Sequence, residues 1–416
     1  MTRLGSVAAW GLAATAFLVV PLAALAPKGL TPLGVVAGLF AIAALRARAQ
    51  PLPPAFLWLT AAIAALLAWC WLSALWALDP GLAVRRAEVL TLIAVVGPLI
   101  LAGTLALPAD RQSWLGAGLC AGLALGVAFM AADAMLDGAL RHAIRDDPGY
   151  YSMSSLNRGA TVAVLVVWPA ALWLWRRGVR ADRRWMRAAA PALALSCVGL
   201  LALLESESSM AALAVGAATF AVVALARGIG TRLLAAALAL GTMAAPALSL
   251  TILSPDRVLA WTDRLGSTAV HRLFIWHFTA ERILERPWLG WGLDAARAMP
   301  GRDTHIVTLR PDLPYDVYKD MQVLPLHPHN APLQVWLELG LPGAILFAAL
   351  SAGLLLWLAR RVPGRMQAAA AASVLSVALA MSSFSYGIWQ TWWLAALWLA
   401  AVATAAVLRM PARPRG

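Results

Sequence analysis

The sequence predicts an all-α polytopic membrane protein with about twelve transmembrane helices. Three observations predict it. First, 62% of the 416 residues are hydrophobic and only 13% are charged, with a mean hydropathy of +0.75. That is too little charge for a soluble domain of this size. Second, apolar runs of roughly 17–25 residues, long enough to cross a bilayer, recur along the chain. They are dominated by Gly, Ala and Leu and lack period-2 alternation, which excludes a membrane β-barrel. Third, the basic residues partition between alternate connections, as the positive-inside rule requires.

The spans read as 5–26, 29–45, 54–77, 88–107, 114–136, 159–175, 188–204, 209–226, 233–254, 331–359, 366–386 and 388–408. The first run is longer than a signal-peptide core, and Pro27-Lys28-Gly29 with a second run follow at once, so it stays as a helix. Most connections are short, but 137–158 and 255–330 are not. Three regions result: residues 1–254 with helices one to nine, a long loop over 255–330, and residues 331–416 with the last three helices and a tail.

With the N-terminus inside, the cytoplasmic segments hold 18 of the 33 basic residues but only Asp110 and Asp182 of the 20 acidic ones. Both termini are therefore expected in the cytoplasm and the long loop outside. Anchoring to the lipids of the inner leaflet accounts for the net charge of +13, and nucleic acid is not needed to explain it. Cys70, Cys120 and Cys197 all lie inside apolar runs with no Cys or His in metal-ligand spacing, and read as small hydrophobes.

The outer loop carries its own pattern. Leu273, Trp276, Ala280 and Leu284 recur at helical spacing within 270–285, Pro287 ends that helix, and Leu289-Gly290-Trp291-Gly292 is a tight turn. Residues 300–326 read as irregular. The expectation is a small helical cap on the outer membrane surface.

The chemistry concentrates at the far end of this loop. Two of the six histidines, His327 and His329, stand at the start of a helix capped by Asn330, with Pro332 in its first turn and Gly340 as its stop. The positive end of a helix favours neutral imidazole, which makes a general base or proton shuttle plausible there. Two other readings stay open: interfacial histidines bonded to backbone, and a His-x-His metal site without a clear third ligand. Arg272 suits a phosphate through its forked guanidinium, or a stack on Trp276. Arg158 and the Arg85–Arg86 pair stand at the same outer level, where several arginines would suit a pyrophosphate; for Arg158 a snorkelling anchor is the alternative. Glu205 and Glu207 read as exposed turn charges, and Asp133 as interfacial. No P-loop, dinucleotide fingerprint or paired metal-binding carboxylates occur, and the outer face offers no nucleotide donor. Group transfer there would draw on a lipid-linked, pre-activated substrate.

These motifs carry a family resemblance. Arg272-Leu-Phe-Ile-Trp276 running to Pro287-Trp-Leu-Gly290-Trp-Gly292, then His329-Asn330-Ala-Pro-Leu333 and Glu338-Leu-Gly340-Leu-Pro-Gly343, resemble the O-antigen ligase family of the Wzy_C-type superfamily. The resemblance implies a fold similar to GT-C-type glycosyltransferases, set in the bacterial inner membrane. It also implies a metal-independent, cofactor-free, inverting transfer of glycan from undecaprenyl pyrophosphate at the periplasmic face. Lipid A–core is the acceptor of a ligase; a polymerase or protein O-glycosylase of the superfamily would use another. His329 matches the family's essential histidine and Arg272 its loop arginine, with Arg158, Arg86, Asn330 and His327 as further substrate-binding candidates. One departure is clear. Where many members carry Ser-Arg-Gly, this chain has Glu205-Ser-Glu207-Ser-Ser-Met, so the second family arginine is missing and Arg158 is the candidate substitute. A flippase or transporter reading is weaker, because charge sits at the helix mouths rather than at mid-membrane and no matching halves occur.

Overall fold

The computed structural model describes residues 3–47, 54–145, 153–254, 257–258, 267–309 and 318–410. Among them, twelve helices are long and apolar enough to cross a membrane. They are α1 (Arg3–Leu25), α2 (Leu30–Arg46), α3 (Pro54–Ser73), α4 (Pro80–Ala106), α5 (Ala109–Met135), α7 (Asn157–Arg180), α8 (Arg184–Leu203), α9 (Glu207–Leu225), α10 (Ile229–Ile252), α12 (Ala331–Arg361), α13 (Arg365–Phe384) and α14 (Thr391–Leu408). A short helix, α6 (Ala139–Arg145), follows α5, and α11 (Ser267–Glu285) lies in the long loop.

The all-α expectation holds for the membrane part. The loop differs from the expected irregular stretch at one point. Strand β1 (His305–Leu309) pairs antiparallel with β2 (Tyr318–Gln322), with His305 opposite Gln322. His271 of α11 donates from Nε2 to the Gln322 carbonyl at 2.7 Å, tying this pair to the loop helix.

Several helices run further than their apolar runs. Helix α4 begins at Pro80 because Asp79 caps it, its side chain accepting the Leu82 N–H at 2.9 Å. The cap extends the helix over Arg85 and Arg86, so these arginines lie inside α4 rather than before it. Helix α7 is the most enclosed span. Gly159 through Val167 are buried without interruption, as expected of a helix that is apolar all round. Helix α3 lies at the rim, with Leu57 and Trp58 exposed.

Small residues let helices approach where no hydrophobic effect operates between them. Gly118, Gly122 and Gly126 of α5 face Ala13, Phe17 and Val20 of α1, and a Cβ at Gly122 would overlap the Phe17 carbonyl. At the basic ends of the helices, arginines satisfy carbonyls that a helix C-terminus leaves without partners. Arg176 donates to Val407 and Met410, each at 2.6 Å, and Arg409 donates to Leu105 at 2.7 Å.

Candidate active site

The loop preceding α12 is built by its own side chains. Asn330 caps the helix, Oδ1 accepting the Leu333 N–H at 3.1 Å. Gly340 does stop the first stretch, with φ 64° and ψ −161°, but a second helical stretch starts at once and continues to Arg361. Those angles belong to a region essentially closed to side-chain-bearing residues. A close approach adds to the demand for glycine: a Cβ at Gly340 would stand 2.5 Å from the Trp288 carbonyl, and one at Gly290 2.6 Å from the Gly340 nitrogen. The two glycine motifs at opposite ends of the loop are thus packed backbone against backbone. Trp291 and Gly292 complete the seam, donating their N–H groups to Leu337 and Glu338 at 2.8 and 2.9 Å.

Beneath the seam lies a polar network. Glu338 is fully buried, and its carboxylate accepts from the Asp294 N–H at 2.7 Å, Trp389 Nε1 at 2.6 Å and Gln334 Nε2 at 3.1 Å. Gln334 in turn accepts the Ile388 N–H at 3.1 Å. One side chain therefore joins the glycine turn, the first stretch of α12 and the connection between α13 and α14. Arg86 belongs to this network. It pairs with the buried Asp294 at 3.0 Å and donates to the Trp389 carbonyl at 3.2 Å, so its guanidinium is already engaged. Arg297 takes the other Asp294 oxygen at 3.2 Å.

The histidines sit above it. His329 has φ +53° and holds its Nδ1 2.6 Å from the Ser385 carbonyl. A carbonyl only accepts, so Nδ1 carries the proton and Nε2 keeps its lone pair. His329 is driven down to about 4, first by burial and then by the positive charge of Arg272, against the opposing bond to Ser385. The neutral ring expected from the helix end is therefore present, with lost hydration as the larger cause. His327 is driven lower still, to about 3, by burial, His329 and Arg297. Its Nδ1 accepts the His329 N–H at 3.2 Å and its ring stands 4.1 Å from that of His329. Gly387 is needed beside it, because a Cβ there would meet the His327 ring at 2.8 Å.

The loop helix brings Arg272 to the same place. Trp276 does not serve as its bonding partner; Trp276 Nε1 donates to the Pro328 carbonyl at 3.1 Å and pins the histidine loop to α11. Arg272 reaches across to α9 and donates to Ser208 Oγ at 3.2 Å. Burial lowers its affinity for a proton, and nearby Glu207 and Tyr386 raise it. Glu205 and Glu207 are exposed, as expected of turn charges, and Glu207 is also near enough to Arg272 to act on it. Arg158 lies at the start of α7, exposed, with its guanidinium 5.8 Å from the Trp392 ring. Asp133, expected at the interface, is fully buried and paired with Arg141.

Tyr386 connects these groups. Its hydroxyl lies 3.2 Å from Thr161 of α7, and Thr161 lies 3.1 Å from Ser209 of α9. Desolvation pushes the phenol above its ordinary value, and Arg158 and Arg272 pull it back. His329, Arg272, Arg158 and Tyr386 therefore surround one mouth at the starts of α7, α9 and α12, while Arg86 lies in the support below. Sequence reasoning missed Ser385, Tyr386 and Gln390, whose side-chain Nε2 lies 3.0 Å from His327 Nε2, because the last two apolar runs nearly abut. The polar Ser385-Tyr386-Gly387 break between them was the signal. Ser208 and the buried role of Glu338 were missed as well.

Residues 191–348 match the O-antigen ligase family. The resemblance read from the motifs is thereby confirmed, and the matched O-antigen ligase region contains Arg272, His327, His329, Asn330 and Glu338. Curated relatives point the same way. A protein of Rickettsia prowazekii named "Putative polysaccharide ligase" is 28% identical over 251 residues, which cover 60% of this chain and 58% of the relative. One of Rickettsia conorii with the same description is 29% identical over 250 residues, 60% of this chain and 57% of the relative. One of Rickettsia felis is 28% identical over 335 residues, 80% of this chain and 76% of the relative. The match thus spans little more than half the length of the first two.

Proposed function

We propose that the protein is a glycan ligase. In this reading it moves a polysaccharide from undecaprenyl pyrophosphate to lipid A–core at the periplasmic face of the inner membrane, without metal or other cofactor. The observation that carries the reading is the bond from His329 Nδ1 to the Ser385 carbonyl at 2.6 Å, which leaves Nε2 as a fixed acceptor beside Arg272.

In the transfer, an acceptor hydroxyl attacks the anomeric carbon as the bond to the pyrophosphate oxygen breaks. The hydroxyl proton goes to His329 Nε2, and the electron pair leaves with undecaprenyl pyrophosphate. Attack opposite the leaving group inverts the anomeric centre. Developing charge on the pyrophosphate is the main electrostatic demand, and Arg272 and Arg158 supply cationic partners at the mouth. The first turns of α7, α9 and α12 add their positive ends. Arg158 takes the place of the missing family arginine. Asn330 shapes the loop by capping α12, and His327 supports His329. Arg86 contributes through Asp294 rather than through the donor.

The test is reconstitution of purified protein with lipid-linked glycan and lipid A–core in excess chelator. Glycosylated core is the expected product. Turnover that appears only on adding a divalent cation overturns the metal-independent reading. Extension of the lipid-linked glycan in place of core transfer makes the protein a polymerase.

A further inference from the structure

A second site lies at the other end of the helices. A cavity of about 430 Å³ opens where α9 passes into α10 and where α12 ends, lined by Arg227, Thr231, Arg232, Leu356, Arg360 and Pro363. Ser208, next to Arg272, is in the first turn of α9, whereas Arg227 follows its last; His329 precedes α12, whereas Arg360 closes it. This cavity is therefore separate from the histidine mouth.

Its three arginines are not equivalent. Arg227 is engaged with main-chain oxygens at the end of α12, donating to Ala359, Val362 and Pro363. It holds the wall in place. Arg232 and Arg360 are exposed, and among the described residues neither has a hydrogen-bond or ion-pair partner. Two unpaired guanidinium groups facing one cavity repel each other until an anion joins them, and their forked donors match phosphate oxygens.

The surroundings say which kind of anion fits. Ile229, Leu233 and Leu240 of α10 are 63%, 62% and 69% exposed, and their spacing places them in one stripe along the helix. That stripe begins beside the cavity and runs toward mid-membrane. A soluble phosphate has no use for it, whereas acyl chains do. Further along, Trp336 Nε1 of α12 bonds the Thr242 carbonyl of α10 at 2.9 Å, and nearer the cavity Leu234 and Ala235 of α10 share an apolar cluster with Leu355 and Leu356 of α12.

We propose that this cavity binds the phosphodiester headgroup of an anionic phospholipid, held by Arg232 and Arg360, with its acyl chains along Ile229, Leu233 and Leu240. The lipid adds a polar bridge between Arg232 of α10 and Arg360 of α12 to the apolar contacts those helices already make there.

The experiment uses the full chain, purified in a neutral detergent, with lipid retention read by native mass spectrometry and stability by thermal unfolding. Phosphatidylglycerol, phosphatidylcholine and inorganic phosphate are the three probes. Phosphatidylglycerol is expected to be retained and to raise the unfolding temperature, and the other two are not. The Arg232→Gln/Arg360→Gln double variant should bind it roughly thirtyfold more weakly, the loss expected for two surface arginines. Arg232→Lys/Arg360→Lys, which keeps both charges but lacks the forked donors, should bind more tightly than the Gln variant and more weakly than the wild type. Arg184→Gln/Arg187→Gln, which removes two charges outside the cavity, should bind normally. Equal retention of phosphatidylcholine, unchanged binding in the first double variant, or equal loss in the last would overturn the proposal. Equal protection by inorganic phosphate would overturn the lipid as the source of the phosphate.

Discussion

His329 and Ser385 are joined by a 2.6 Å hydrogen bond from the imidazole Nδ1 to the main-chain oxygen, and that bond decides which ring nitrogen is free. Because the acceptor is a carbonyl, no side-chain substitution at Ser385 removes it. The tautomer depends instead on where the connection between α13 and α14 is held. Glu338 and Gln334 hold it, through Trp389 and the Ile388 N–H.

His329→Ala should leave the protein inserted and folded but lower transfer by roughly 10²–10⁴, the usual contribution of a general base. Binding of the lipid-linked donor should change little, since a neutral ring adds little to diphosphate affinity. Donor binding and single-turnover transfer at matched expression measure the two effects separately. Near-normal turnover would remove His329 from the base role.

The pH profile follows from the same residue. His329 must be neutral to accept a proton, and it is held at about 4, below the ordinary 6.5. Transfer should therefore persist as pH falls through 6.5 and decline only near about 4. Stability runs in the same direction. The unfolded chain takes up the proton at higher pH than the folded one, so the contribution is complete above 6.5 and lost as pH falls toward about 4. A rate profile breaking near 6.5 would contradict this placement.

Arg272 and Arg86 should separate in behaviour. Arg272→Ala should weaken donor binding and turnover together, and Arg272→Lys should restore only part, lacking the forked donor geometry. Arg86→Ala removes a partner from Asp294, which is 7% exposed at its side chain. Breaking such a pair costs about 3 kcal/mol of stability. Unfolding midpoints should fall for Arg86→Ala, and donor affinity should fall for Arg272→Ala. The opposite assignment would put the diphosphate beside Asp294.

Two glycines test the scaffold. Gly387→Ala should push the His327 ring aside and reduce turnover with donor binding retained, because the added Cβ has its nearest contact at 2.8 Å. Gly340→Ala meets both an unfavourable backbone region, costing on the order of 1–3 kcal/mol, and the Trp288 carbonyl. It should lower the yield of folded protein and the unfolding temperature. Wild-type stability in Gly340→Ala would mean that the seam with Gly290 adjusts easily.

The sequence by itself determined the membrane class, the twelve spans, the Asn330 cap and the two motifs that meet at the loop ends. Those features follow from local physics: run length against bilayer thickness, capping oxygens, and glycine where a side chain cannot fit. It also singled out His329 and Arg272 as chemically capable. Only the tertiary structure decided how the capable residues divide. Arg86 and Arg158 look alike in sequence, since each is an arginine near a helix start at the same membrane level. The fold sets Asp294 against Arg86 and leaves Arg158 exposed by Trp392. The tautomer of His329 depends on Ser385, 56 residues away, and the support of Arg272 on Ser208, 64 residues away. Pairings of that kind arise from how helices pack, and no local pattern in a chain of interchangeable apolar spans records which helix ends will meet.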